Sequence, residues 1–469
     1  MTTASGVRGR DPLWRTGATL AGLAAVYFAA AKLGLSLAFV NPSATAVWPP
    51  TGIALAAFLI FGARVWPAIF ASAFLANLTT AGSVATSIGI AAGNTLEGLL
   101  GAYLVQRFAA GRQAFGRPRN AFRFALLAAG LSTTVSATCG VVSLALAGFA
   151  PWADFGRIWL TWWLGDAAGA LVVAPVVLLW TENPRVEWTR RQVVEGAALL
   201  VCLVLVALAV FGGVSPAQAK NYPLEFLCIP LLLWVAFRFG PRETATAILL
   251  LSGVAIRGTL EGFGPFARAT QNESLLLLQA FIGIIAVTKL IVASVVAERR
   301  RMEGHLRDLA VRDPLTGLAN YRQLMVALEA EIRRSQRTQR GFAVLLLDVD
   351  GLKRINDRHG HLVGSRALCR LAEVLHMSCR AVDTAARYGG DEFALVLPET
   401  DDTAARQVAA RVSERLGKDV EAPRIKASFG VAFFPRDGST AEAILSGADR
   451  ALYAMKTAAK AGSSGARAR

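Results

Sequence analysis

The sequence predicts a polytopic α-helical membrane bundle followed by a smaller α/β domain in water. Three observations carry that reading. Of the 469 residues, 54% are hydrophobic and only 17% are charged, and mean hydropathy is +0.45, too apolar for a soluble chain of this length. Long apolar runs fill the chain to about residue 297, where charge and helical amphipathicity take over. Beyond that point, β-prone apolar runs alternate with amphipathic helical stretches, the pattern of helices packed on a sheet.

The formal net charge is +16. That balance suits a nucleic-acid binder, but much of the arginine lies in short loops between apolar runs, where positive charge holds loops in the cytoplasm. Nucleic acid is therefore not an expected partner. The five cysteines, Cys139, Cys202, Cys228, Cys369 and Cys379, form no CxxC pair and read as reduced thiols. His305, His359, His361 and His376 all follow the membrane part, which excludes a histidine-ligated haem or metal site within it.

The membrane part comprises residues 1–297. Arg8, Arg10 and Arg15 precede an apolar stretch near 17–40, and Lys32 with the lack of a small-residue cleavage site argues against a removable signal peptide. Further apolar segments lie near 51–64, 66–79, 84–106, 121–149, 157–180, 193–213, 222–239, 243–258 and 274–297. Several are short for a span of about 20 residues. Arg64, the cluster from Arg107 to Arg123, Arg185 to Arg191, Arg238 with Arg242, and Arg299 to Arg301 fall in alternate gaps. This alternation predicts ten transmembrane helices, with eight as the alternative, and both termini in the cytoplasm.

Asn94, Glu97, Asp166, Glu225 and Arg257 interrupt these apolar runs. Intramembrane charge is costly and faces a bundle interior or cavity, so these are candidate ligand or ion contacts, Glu97 and Asp166 foremost. The alternative is that they pair with one another to fix helix packing. The strings VWPPTGIALAAFLIFGARVWPAIFASAFLAN, GNTLEGLLGAYLV, WWLGDAAGALVVAP and GPFA resemble the integral membrane sensor domain of the MASE family, over about residues 15–297. The resemblance implies an input module for a signalling output and names no signal.

Residues 298–312 continue the last apolar run without a proline. Val295, Met302, Leu306 and Leu309 recur at three- and four-residue steps between charged residues, a short coiled-coil seam weakened by Gly304. A single amphipathic helix resting on the next domain is the alternative. The seam favours a homodimer.

The second domain is expected over residues 313–461, with a disordered tail at 462–469. In RDPLTGLANYRQL, Asp313-Pro314 and Gly317 mark a turn and Asn320 caps the helix carrying Leu324 and Leu328. Phe342 to Leu347 reads as a buried strand ending at Asp348-Val349-Asp350, with a glycine and then Lys353 beyond it. A carboxylate so placed suits a metal-triphosphate site. A helix through Leu368, Leu371 and Leu375 follows, then a strand through Ala386. In Arg387-Tyr388-Gly389-Gly390-Asp391-Glu392-Phe393 the paired glycines suggest a tight hairpin with φ > 0. Its carboxylates suit a divalent cation, or simply make an acidic hairpin tip. A helix near 402–416, the strand in IKASFGVAFFP and a last helix complete a mixed, mainly antiparallel sheet with packed helices.

Four motifs in order, DPLTGLxN, DxDxxKxxND, RYGGDEF and ADxALYxxK, resemble the GGDEF domain of diguanylate cyclases. The resemblance implies a ferredoxin-like, palm-type α/β fold. It also implies condensation of two GTP molecules into cyclic di-GMP by two facing domains. It places Mg2+, with Mn2+ as a substitute, on Asp348, the Val349 carbonyl, Asp391 and Glu392. Asp391 or Glu392 takes the 3′-hydroxyl proton, while Lys353, Lys456 and Lys460 meet the phosphates. Asn356 meets the guanine edge, and Arg380 with Asp383 forms an inhibitory site for cyclic di-GMP. One position departs from the family: Ser365 stands where an aspartate usually accepts protons from guanine. A hydroxyl donates as well as accepts and so tolerates adenine, as in the branch of the family that also makes cyclic GMP–AMP from GTP and ATP. The expectation is a sensor cyclase of a bacterial inner membrane. A catalytically silent cyclic di-GMP receptor is the rival from another class.

Overall fold

The structure, a computed structural model, describes residues 13–36, 46–80, 83–213 and 223–465, apart from the side chains of residues 13–16, 305–307, 309, 310 and 459–465. The chain divides into two compact units, Met1–Arg301 and Met302–Arg469.

Among its described residues the first unit is helical and contains no strand. Its helices are α1 (Leu13–Ser36), α2 (Pro49–Phe61), α3 (Trp66–Leu78), α4 (Val84–Phe108), α5 (Pro118–Phe124), α6 (Thr133–Leu146), α7 (Phe155–Glu182), α8 (Arg190–Phe211), α9 (Cys228–Arg238), α10 (Pro241–Leu260) and the greater part of α11 (Gln271–Val311), whose end belongs to the second unit. A π-helical stretch, Ala125–Ser132, joins α5 to α6. Among the described residues seven helical segments are long and apolar enough to cross a bilayer. Three of the ten apolar runs yield shorter helices: α2 and α3 have 13 residues each and α9 has 11. Proline and glycine set those lengths, since Pro49-Pro50 opens α2, Gly62 ends it and Pro67 opens α3.

The start of α2 lies in the interior, where unpaired amides are costly. Two prolines in the first turn remove two of the donors that a helix start leaves orphaned. The Trp48 amide, just before them, donates to the Gly165 carbonyl of α7 at 2.9 Å. Two glycines permit this approach. A Cβ on Gly52 would lie 2.4 Å from the Gly169 carbonyl oxygen, and one on Gly169 would lie 2.0 Å from that of Trp48.

In the second unit α12 (Tyr321–Thr338) is followed by β1 (Phe342–Val349), α13 (Leu352–His359), α14 (His361–Ser378), β2 (Thr384–Gly389), β3 (Glu392–Pro398), α15 (Asp402–Lys418), β4 (Ala427–Phe434) and α16 (Ala441–Gly465). The strand order is β2-β3-β1-β4, and all three ladders are antiparallel. This corrects the expected mixed sheet. Among the described residues the parallel element is an isolated bridge between Ala319 and Ala386, made by the segment before α12, which has the reach of a bridge but not of a strand. The last helix runs on to Gly465, so residues 462–465, expected as tail, continue it.

Central β1 is buried on both faces. Ala343, Leu345 and Leu347 pack with Leu371, Leu375 and Val412 on one side. Val344 and Leu346 pack with Leu324, Leu328 and Ile444 on the other. The period of two in a strand explains why a continuous apolar run fits here.

The turn after α11 is fastened to the sheet. Asp313 accepts hydrogen bonds from the Thr316 amide at 2.8 Å and its hydroxyl at 2.7 Å, and Arg387 reaches both Asp313 oxygens at 3.2 Å. The same guanidinium donates to the Gly390 carbonyl at 3.1 and 2.6 Å. Burial alone would raise the Asp313 carboxyl, but the Thr316 hydrogen bonds and the Arg387 charge outweigh it and hold it below the usual range. Beside them, the Arg387 amide donates to Ala319 and the Ala319 amide to Ala385. Of the expected seam, Val295 and Met302 are exposed, while the Leu306 and Leu309 side chains lie outside the described residues.

Two outcomes follow. Gly169→Ala forces backbone apart between α2 and α7, costing about 1–3 kcal/mol; thermal unfolding of the full chain in detergent should show a lowered midpoint. Arg387→Met leaves a half-buried carboxylate short of donors, a loss of about 1.5–3 kcal/mol. Hydrogen exchange at the Ala319 and Arg387 amides should then quicken by about tenfold or more, and unchanged exchange would remove the fastening role. The depressed Asp313 adds a pH signature: its stabilisation is present above the ordinary carboxylate range and is lost as pH falls through its lowered value.

Candidate active site

Two antiparallel ladders deliver acidic residues to one end of the sheet. Asp348 of β1 pairs in register with Glu392 of β3 on one side and with Ser428 of β4 on the other. The Val349 amide donates to the Asp391 carbonyl at 3.1 Å, which ties the end of β1 to the β2–β3 turn. Asp350 is fixed beside them, its amide on the Lys426 carbonyl at 2.9 Å and its carboxylate accepting from the Ser428 hydroxyl at 2.8 Å.

Neither Gly389 nor Gly390 takes a positive φ, contrary to the expected turn conformation. Their use is open space instead: Gly390 is exposed and a Cβ there would meet nothing within 4 Å, so a ligand can reach the backbone. The left-handed glycine of the site is Gly351, φ 72°, where the chain leaves β1 for α13.

The lysine of the site comes from the far end of the domain. A Cβ on Gly430 would sit 2.1 Å from the Ala448 carbonyl oxygen and 2.4 Å from the Leu452 amide nitrogen, so only glycine lets α16 lie this close to β4. The helix then runs alongside the strand, with the Phe429 amide on the Met455 sulfur at 3.3 Å. At that level Lys456 Nζ meets Asp348 Oδ2 at 2.6 Å.

Electrostatics mark the acidic cluster. Burial raises the Asp348 carboxyl above its ordinary value; Lys456 opposes the shift and Asp391 and Asp350 add to it. Glu392 is raised first by burial and then by Asp348, Asp391 and Asp449. Asp449, two helical turns before Lys456 on the same face of α16, was missed from the sequence because the spacing alone does not show that this face meets the site. Among the described residues no group of three or more His, Cys, Asp or Glu side chains is already drawn together as a metal site. The donor set itself, carboxylate oxygens that repel one another, fits a hard dication such as Mg2+.

Lys353 is exposed on α13. One turn on, the Asn356 Oδ1 is buried and has no hydrogen-bond partner. A Cβ on Gly364 would lie 1.9 Å from that oxygen, so a side chain there would push the Asn356 amide aside, and half-buried Ser365 follows it. The structure thus brings Asn356 and Ser365 to one corner. The Lys460 side chain lies outside the described residues.

Arg380 and Asp383 form a tight turn away from the acidic cluster. The Arg380 amide donates to Asp383 Oδ2 at 2.6 Å, and the Asp383 amide donates to the Arg380 carbonyl at 3.0 Å. Asp383 Oδ1 is buried without a partner. Both residues line a groove of about 600 Å³ with Arg312, Gln323 and His376. Burial, then the Asp383 charge, pushes the neighbouring Cys379 thiol up to about 11.

In the first unit Glu97 and Asp166 are buried and meet at the Thr51 hydroxyl. Arg257, expected as an intramembrane contact, is exposed and pairs with Glu261 at 3.0 Å. Glu225 lies in a 3-10 turn before α9.

Comparison with known proteins agrees with this division. The MASE1 family model matches residues 19–300, and the model described as diguanylate cyclase, GGDEF domain, matches residues 310–461. The bifunctional diguanylate cyclase/cyclic di-GMP phosphodiesterase MucR of Pseudomonas aeruginosa is 33% identical over 48% of this chain and 38% of its own length. The diguanylate cyclase DgcP of the same organism is 36% identical over 36% of this chain and 26% of its own. The chain therefore spans less than two fifths of the length of either relative. A crystal structure of a sensory box/GGDEF family protein from Caulobacter crescentus is 38% identical, covers 31% of this chain and 98% of that one, and has a TM-score of 0.30. The family matches and the two units together make this a membrane protein of the MASE1 family that carries a GGDEF domain.

Proposed function

We propose that the chain is a membrane-bound diguanylate cyclase that joins two GTP molecules into cyclic di-GMP, releasing two pyrophosphates, under control of a signal at its membrane unit. The observation that carries the reading is the in-register pair Asp348 and Glu392 at the end of the sheet, with Asp391 in the adjoining turn and Lys456 on Asp348. Matches to proteins described as diguanylate cyclases support it.

Each domain holds one GTP, so two copies of the chain face each other, consistent with the dimeric habit of the family and the seam on the connector helix. Bound Mg2+ on Asp348, Asp391, Glu392 and the Val349 carbonyl would neutralise the triphosphate and favour ionisation of the ribose 3′-hydroxyl. That oxygen forms a bond to the α-phosphorus of the partner's GTP, and the bond to the bridging oxygen breaks as pyrophosphate leaves. The hydroxyl proton passes to Glu392 or Asp391. Glu392 suits this task because burial and its acidic neighbours raise its proton affinity. Open Gly390 admits the phosphates, Lys353 stands over them, and Lys456 turns from Asp348 toward them, with Lys460 beside it. Asn356 and Ser365 hold the base. Arg380 and Asp383 bind the product and restrain synthesis. The GGDEF unit and both termini lie on the cytoplasmic side of a bacterial inner membrane, in line with the arginine-rich alternate loops.

A second reading concerns the base. Ser365 beside the unpartnered Asn356 Oδ1 offers no anion to guanine, which lets ATP compete and yields cyclic GMP–AMP as a by-product.

Asp391→Asn and Glu392→Gln should each lower product formation by about 100-fold or more, read by chromatography of Mg2+/GTP reactions. Wild-type turnover by both variants, or no turnover by the wild type with tight cyclic di-GMP binding, would overturn the cyclase reading and favour a receptor. In the metal-free site burial and the neighbouring carboxylates raise Asp348 and Glu392, so protons compete with Mg2+ there, and the Mg2+ concentration needed for half-maximal rate should rise as pH falls toward the carboxylate range. With GTP and ATP together the wild type should give mixed product. Ser365→Asp should restore about 10-fold or more preference for cyclic di-GMP, as a charged contact worth about 1.5–3 kcal/mol requires; cyclic di-GMP alone from the wild type would remove the second reading.

A further inference from the structure

The membrane unit holds two carboxyl groups that the cyclase chemistry does not use. Glu97 of α4 is 2% exposed and Asp166 of α7 is 0% exposed. Both are tied to one hydroxyl: Thr51, in the first turn of α2, donates to Asp166 Oδ1 at 3.1 Å and lies 3.4 Å from Glu97 Oε2. A hydroxyl has one hydrogen, so it serves one carboxylate at a time. The remaining oxygens, Glu97 Oε1 and Asp166 Oδ2, are buried with no hydrogen-bond partner.

Charge balance is the difficulty. Among the described residues neither carboxylate has an ion-pair partner. The start of α2 offers about half a positive charge at most, against two negative ones. An uncompensated ion in a dry bundle costs several kcal/mol, so a cation must come from outside the chain. The structure has room for a water-sized particle on the Asp166 side of the pair, where neither Glu97 nor Thr51 forms part of the lining. Asp166 lines a cavity of about 10 Å³ with Trp48, Asn77, Asn94 and Trp162, the space of one water-sized particle. The nearby donors are already committed. Trp162 Nε1 donates to Ser136 Oγ at 3.2 Å, the Ser136 hydroxyl to Asn94 Oδ1 at 2.7 Å, and Asn94 Nδ2 to the Tyr27 hydroxyl at 3.5 Å. What is left wanting a partner is an acceptor.

We propose that Glu97, Asp166 and Thr51 form a binding site for one small monovalent cation, a proton or a sodium-sized ion. Its occupancy sets how tightly α2, α4 and α7 are drawn together. The other titratable groups around the site are Tyr27 on α1, whose hydroxyl meets Asn94, and Cys139 on α6, whose Cβ would lie 2.7 Å from a Cβ on Gly93 of α4. Thr51 is the polar group from α2, and Gly52 with Gly169 holds it within reach of Asp166.

The test is infrared spectroscopy of the full chain in lipid nanodiscs, titrated across the neutral pH range in sodium chloride and in choline chloride. The expected result is a buried protonated-carboxyl band that falls as pH rises. Glu97→Gln and Asp166→Asn should each remove it or displace its midpoint by about tenfold or more in proton concentration. A midpoint at lower pH in sodium than in choline assigns the ion as sodium competing with the proton, and coincident curves assign the proton alone. The proposal falls if the band is absent at every pH, if it is unmoved by pH and salt, or if both amide variants leave it unaltered. Should an amide variant fail to fold, Thr51→Val keeps the shape of the α2–α7 contact and must still displace the midpoint. This readout is independent of nucleotide turnover, so its failure and failure of the cyclase reading are separate results.

Discussion

Backbone packed directly against backbone is the constraint on which the functional parts of this chain depend. Gly52 and Gly169 bring the first turn of α2 onto α7 and so place Thr51 against Asp166. Gly430 lets α16 lie on β4 and so carries Lys456 to Asp348. Gly364 seats α14 against Asn356 and so sets Ser365 beside it. At Gly52, Gly169 and Gly430 a neighbouring backbone occupies the place of a side chain, and interiors are too densely packed to absorb an added methyl there, whereas at Gly364 the neighbour is the movable Asn356 amide.

These contacts place groups that the fold alone would not bring together. The acidic end of the sheet is assembled from β1, the β2–β3 turn and α16, elements far apart in sequence. Burial first, and then the neighbouring carboxylates held at fixed spacing by the ladders, raises the proton affinity of Asp348 and Glu392. Lys456 meets part of that demand through Asp348. The membrane unit sets the same problem without a lysine: Glu97 and Asp166 share a single hydroxyl and have no cationic partner among the described residues.

Much of this was legible in the sequence, for physical reasons that also explain the failures. β1 was readable because a strand buried on both faces must be apolar throughout, and the Asp313 turn and Asn320 cap were readable because short polar side chains bind nearby amides. The spacing of RYGGDEF pointed to the acidic turn but misjudged its glycines, since sequence does not distinguish a glycine needed for φ from one needed for open space. The sheet was expected to be mixed because alternating strands and helices do not fix strand direction, and the structure keeps a parallel element only as the bridge at Ala319. Helix number was harder to judge: apolar runs such as 51–64 mark burial, while proline and glycine decide whether the helix reaches across a bilayer. Thr51, Ser428 and Asp449 carried no signal of their own, because their roles arise from partners distant in sequence.

Arg387 holds Asp313 with one edge of its guanidinium and the Gly390 carbonyl with another. The turn that follows α11 and the acidic hairpin are thereby joined by this side chain in addition to the backbone bridge at Ala319. In a collection of loss-of-function alleles, lesions at Asp313 and Arg387 would fall into one phenotypic class although 74 residues separate them. Genetics would then group a turn that lies outside the acidic cluster with the acidic hairpin itself.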